Sequence, residues 1–141
     1  MKVRNIYYFI AGILALLFAV THAWNGQSAV LPSLQNHGIM MDTRIVFIYV
    51  WHIITAENLV FGIMFIMMSL QSMQSNIRFA AWIFVWLLMV RLLTVVGITA
   101  YYDISALTGT LIDSIAIVIY VILIIFGIYT KRKSSGLRGS A

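Results

Sequence analysis

The side chains best able to do chemistry in this 141-residue chain stand inside stretches that are otherwise apolar. His52 and Glu57 interrupt one such stretch, Arg91 a second and Asp113 a third, while His22 closes the first apolar run. A charged group at the centre of a membrane helix costs about 2.5–3.5 kcal/mol on insertion scales, so each of these residues needs a partner or a use. Depth suggests the partners. At about 1.5 Å of rise per residue, His52 and Asp113 each lie roughly 10 Å inside the outer ends of their helices, Arg91 about 14 Å and Glu57 about 18 Å. The expected pairs are therefore Glu57 with Arg91 near the midplane and His52 with Asp113 above it. His52 and Glu57 themselves point roughly 140° apart on a regular helix, which argues against one narrow site using both.

Several chemistries use these residue types. His22, His52 and Asp113 are ligands that suit zinc, but no pair of them has a diagnostic spacing, so they are weak metal candidates. His37, Met40, Met41 and Asp42 offer imidazole and thioether of the kind copper accepts. His22 and His52 are the one intramembrane histidine pair that could hold a haem iron axially, with no accompanying motif, and no cofactor is expected. Asp113 has no second intramembrane aspartate and Ser114 no evident base, so the pattern of a hydrolase is missing and no catalytic residue is assigned. A histidine among fixed charges suits proton sensing, since imidazole titrates nearest neutral pH. The half of the membrane below Glu57 offers no polar relay, which favours an outward-open pocket over a pore.

The expected site is accordingly a polar pocket for a small polar or cationic ligand or an ion, with binding or transport as its use. Glu57 and Arg91 form its floor, His52 and Asp113 its wall, and His22, Tyr101 and Asp103 its rim, with Asn58 also among the pocket residues. The alternative is an accessory or scaffold subunit whose buried charges pair across subunits of a homo- or hetero-oligomer.

The elements that would position these residues are transmembrane helices. The chain is 62% hydrophobic and 9% charged, a balance that one small domain could not fold away in water. There is no cysteine, which excludes disulfides and thiol chemistry. Crossing the hydrocarbon takes about 20 apolar residues, and four runs are long enough: 6–24, 45–71, 77–100 and 106–130. The short segments 72–76 and 101–105 force antiparallel neighbours. The longer connection 25–44 carries the single proline, Pro32, and its Ala29-Val30-Leu31 run suits the membrane surface.

Orientation follows from the basic residues. Lys2, Arg4, Arg78, Lys131, Arg132, Lys133 and Arg138 fall on one side and only Arg44 on the other. The positive-inside rule then places both termini in the cytoplasm, and the cell (inner) membrane is the expected location. Basic residues so placed explain the net charge of +5 without a nucleic-acid partner. The expected fold is all-α: a single integral-membrane four-helix bundle spanning 1–133, antiparallel and up-down, with a disordered tail over 134–141. Thr21-His22-Ala23 also resembles a signal-peptidase site, a competing reading in which 1–23 is a cleavable leader.

Small residues mark the expected packing faces. Ala11, Ala15, Ala19 and Ala23, with Gly12 beside them, form a stripe on the first span. Trp51, Thr55, Asn58, Gly62 and Ser69 do so on the second, and Gly109, Asp113, Ala116, Tyr120 and Gly127 on the fourth. Helices in lipid associate through such close-approach surfaces.

Overall fold

The computed structural model describes residues 2–36, 38–72 and 75–130. His37, the basic residues 131–133 and the expected tail over 134–141 fall outside them. Among the described residues the structure is helical, with no strand. Four helical stretches are long and apolar enough to cross a membrane: Ile6–Leu34, Met41–Leu70, Ser75–Tyr102 and Ile104–Tyr129. This is the architecture of a small integral membrane protein, because only helices satisfy every backbone group within one spanning segment.

The contacts divide the chain into two compact units, Met1–Gln71 and Ser72–Ala141, each built around one pair of long antiparallel helices. In the first unit, α1 (Ile6–Asn25) packs along α3 (Met41–Leu70), with a π-helical turn (Gly26–Val30) and the short α2 (Leu31–Asn36) between them. In the second, α4 (Ser75–Tyr102) packs along α5 (Leu107–Tyr129) after a single 3-10 turn over Ile104–Ala106.

The first hairpin closes at the end carrying the N-terminus because each helix end satisfies the other. The last carbonyls of a helix lack intrahelical donors. Here the Ser69 carbonyl of α3 accepts from the backbone N–H of Arg4 (2.8 Å) and of Asn5 (3.1 Å). The first N–H groups of α1 are equally orphaned, and the Asn5 carboxamide oxygen accepts from Tyr7 (3.1 Å) and Tyr8 (3.2 Å). Beyond this cap Tyr8, Ala11, Gly12, Ala15 and Ala19 are buried, as the alanine stripe leads one to expect, while Ala23 is only half-buried. They meet Asn58, Phe61, Gly62, Phe65, Met68 and Ser69 on α3. Tyr8 and Phe65, both fully buried, bring their ring centroids to 5.7 Å.

The tightest approach is between two glycines. A Cβ on Gly12 would lie 2.9 Å from the Gly62 carbonyl oxygen, and one on Gly62 would lie 3.0 Å from that of Gly12. Backbones can come this close only where side chains are absent, which is how helices gain dispersion energy in lipid.

The second hairpin buries its helices in a similar phase. Tyr120, Val121, Ile124, Gly127 and Ile128 on α5 repeat the intervals of Phe61, Gly62, Phe65, Met68 and Ser69 on α3. Their partner helix α4 buries Ile77, Ala81, Val85 and Leu88. The expected stripe on the fourth span thus packs at Tyr120 and Gly127, whereas Gly109 and Asp113 are exposed. At that end α4 and α5 leave an apolar groove of about 400 Å³ between Leu92, Leu93 and Val96 and the α5 residues Ser114, Ile115, Val118 and Ile119.

The 25–44 connection is helical from Asn25 to Asn36. Proline has no N–H to donate and its ring crowds the carbonyl four residues back, which ordinarily ends a helix. The π turn widens the helix just ahead of Pro32, with the Leu31 N–H reaching five residues back to the Gly26 carbonyl. In the Ala29-Val30-Leu31 run Ala29 is exposed, Val30 half-buried and Leu31 buried. The helix α3 begins at Met41, with Asp42 in its first turn, where a carboxylate is favoured by the helix dipole.

Candidate functional site

The polar stripe on α3 is a seam facing α1 over its whole length. Gly62 lies against Gly12, Asn58 is buried one turn away, and Thr55 donates from its hydroxyl to the Trp51 carbonyl. Trp51 ends the seam at the rim. Its indole Nε1–H donates to the His22 carbonyl at 2.9 Å, and its ring stacks on the His22 imidazole with centroids 4.3 Å apart and planes 7° from parallel. Such stacking contributes of order 0.5–1.5 kcal/mol beyond the area it buries.

Gly26, the first residue of the π turn, is what admits the indole. It is buried, and a Cβ there would fall 2.1 Å from Trp51 Nε1. His52 follows Trp51 by about 100° of helical rotation, which sets it at the edge of the seam instead of inside it. There its Nε2 meets the Gln27 carboxamide at 3.0 Å, on the exposed side of the hairpin.

The rim of the first hairpin therefore gathers two imidazoles, an indole and a carboxamide from α1, the π turn and α3. Of the residues expected in a site, it brings together His22 and His52. Asn58 lies deeper in the seam, and Glu57 beside it is exposed. His52 is half-buried and Glu57 exposed. The remaining expected residues belong to the second hairpin. Arg91 is half-buried on α4 and Asp113 exposed on α5. Tyr101 is exposed and sits edge-on to Tyr102. The two depth-matched pairs, Glu57–Arg91 and His52–Asp113, each join residues of different hairpins.

Asp103 has a structural occupation. Its carboxylate accepts from the Ser105 hydroxyl at 2.6 Å and the Ser105 amide at 2.9 Å, capping the turn that leads from α4 into α5. These two bonds, the hydroxyl's first, hold its carboxyl below the ordinary value of 3.8. A depressed carboxylate stabilises the fold above its unfolded pKa, and that contribution disappears as pH falls through the folded one. The Ser105 amide resonance is therefore expected to titrate below pH 3.8 in the native chain and to show no such titration in Asp103→Asn.

Metal and haem ligation face geometric obstacles at this rim. Among the described residues no three His, Cys, Asp or Glu side chains gather closely enough to hold a metal ion. Axial ligation by His22 and His52 needs both rings to project into one space. One ring lies flat on an indole and the other is engaged by a carboxamide. The copper-type set named from the sequence includes His37, outside the described residues.

Gly26 and Gln27 were not anticipated in a site, and Trp51 was anticipated only as a packing residue. A signal for them exists: Gly26-Gln27 stands just beyond the first span, four and five residues after His22, and Trp51 immediately precedes His52. Comparison of the chain with protein-family models, with curated proteins and with solved structures finds no match.

Proposed function

We propose that this membrane protein binds a small polar or cationic ligand at the outward-facing rim of its first hairpin, as a binding or transport-type protein. The observation that carries this is the Gln27–His52 contact at 3.0 Å beside the His22–Trp51 stack. Hydrogen-bonding groups that converge beside aromatic surface are the usual make-up of a small-molecule site. The rim lies at the opposite end of the hairpin from Lys2 and Arg4, so the positive-inside rule turns it away from the cytoplasm. Both termini are then cytoplasmic and the membrane is the cell membrane.

The test is a melting experiment on the purified protein in detergent at pH 7, with small organic amines as probes. A probe at about 100 times its dissociation constant adds roughly 2.7 kcal/mol to stability, a rise of several degrees. That rise is expected in the native chain and is expected to vanish in His52→Ala. Equal stabilisation of both proteins would remove His52 from the site.

A second reading, an accessory subunit, is favoured by Asp113. This carboxylate is exposed within the fourth span and has no hydrogen bond or ion pair among the described residues. A partner chain supplying a donor or cation would offset the cost of placing it there. Under that reading Asp113→Asn lowers the mass of the particle in mild detergent, and an unchanged mass counts against it.

A further inference from the structure

Resting on the rim's role as a ligand site, we propose that Gln27 is a resident competitor for His52: its carboxamide occupies the imidazole nitrogen that an incoming ligand must reach. Two of the polar contacts that join α1 and its extension to α3 differ in kind. The bond from Trp51 Nε1 to the His22 carbonyl is part-buried and belongs to the packed seam, fixed by the fit of Gly26 under the indole. The contact between Gln27 and His52 lies outside the seam, exposed, and neither side chain is needed to fill it.

His52 Nε2 is the distal ring nitrogen, the atom the side chain presents farthest from its own helix. A carboxamide can engage it in either protonation state of that nitrogen. Its N–H donates to a bare Nε2, and with the amide turned over its oxygen accepts from Nε2–H. In both arrangements Nε2 is occupied.

Gln27 is also placed to leave. It sits on the π turn, one residue beyond the pinned Gly26, where helical hydrogen bonding has shifted from four residues to five. Such turns recur at functional positions because they interrupt the regular ladder. Rotation of the Gln27 side chain uncovers the imidazole with no change to the seam. A ligand presenting one donor or acceptor replaces the carboxamide bond for bond, so the exchange leaves no polar group bare.

The test needs no ligand, which separates its failure from failure of the ligand site. Diethyl pyrocarbonate acylates an unprotonated imidazole nitrogen: the N–C bond forms as the anhydride C–O bond breaks, and the departing ethyl carbonate decomposes to carbon dioxide and ethanol. The rate at His52 is followed by peptide mass spectrometry in the full chain in detergent, with free N-acetylhistidine in the same solution as the reference. In Gln27→Ala the His52 rate relative to that reference is expected to rise about five-fold, the population shift equivalent to one ordinary hydrogen bond. Gln27→Asn, one methylene shorter, is expected to behave as Gln27→Ala does while keeping the amide. An unchanged ratio in both variants overturns the competitor. Faster acylation without amine binding by any variant keeps Gln27 as the cover of His52 and removes the ligand site instead.

Discussion

Gly12→Ala is expected to lower the stability of the protein by about 2–3 kcal/mol, a drop of several degrees in melting temperature in detergent. The added methyl would lie 2.6 Å from Ile66 Cγ1, 2.9 Å from the Ile66 backbone nitrogen and 2.9 Å from the Gly62 carbonyl oxygen. Two of those three atoms are backbone, so no rotamer change relieves the clash and the helices must separate. Separation at the crossing forfeits the dispersion made around it, which in lipid is a main attraction between helices. Gly62→Ala meets the Leu16 side chain at 2.6 Å and the Gly12 oxygen at 3.0 Å. Leu16 can move, so that variant is expected to cost less. Gly97→Ala and Gly109→Ala are the controls. Neither methyl would meet an atom within 4 Å, and alanine restricts the unfolded chain, so both should be neutral or slightly stabilising. A Gly12→Ala protein that melts with the Gly109→Ala control would refute the glycine crossing.

The second large effect is expected at Gly26. In Gly26→Ala the new methyl would fall 2.1 Å from Trp51 Nε1 and 2.6 Å from its Cδ1. An indole cannot bend away as an alkyl chain does, so it must leave its slot. It then loses the hydrogen bond to the His22 carbonyl and the stack on the His22 ring. Overpacking and the lost bond together are expected to cost about 2–3 kcal/mol. The near-UV circular dichroism of the immobilised tryptophan should fall with it. Adding Trp51→Phe to Gly26→Ala should recover part of the loss, because the smaller ring leaves room for the methyl. The two changes would then be strongly non-additive, as contacting residues are. Additive effects would mean that Gly26 and Trp51 do not share a slot.

The two predictions bear on function from opposite ends of one hairpin. The glycine crossing holds α1 on α3, and the Gly26–Trp51 fit sets the register at which the rim is presented. Only the second should disturb His52 and Gln27. Amine binding is therefore expected to weaken in Gly26→Ala at temperatures where the chain is still folded, while folded Gly12→Ala binds normally.

Much of this was readable from residue order alone. The four spans were, because satisfying backbone groups in lipid is a local requirement that about 20 apolar residues meet without help from elsewhere. The alanine stripe on α1 and the polar stripe on α3 were readable too, since helical periodicity assigns a residue to a face before any partner is known. The five-residue offset already separated His52 from Glu57 for the same reason. Asp103 could have been read as a cap from the serine two places on, a local pattern that depth reasoning passed over.

What residue order did not determine was the fate of the 25–36 segment and the composition of the rim. Glycine, asparagine, glutamine, serine and proline in close succession signal a turn by every local rule. The helix persists because the π turn accommodates Pro32 and because Gly26 accepts an indole from a residue 25 positions away in the chain. Local composition cannot encode a fit between two surfaces that come together only when α1 packs on α3. The same holds for the Gln27–His52 contact, which exists because the seam positions Trp51 and the rotation of one residue then carries His52 to its edge. Sequence alone established four membrane-length apolar stretches interrupted by costly polar groups. Tertiary packing decided which of those groups share the rim of one hairpin.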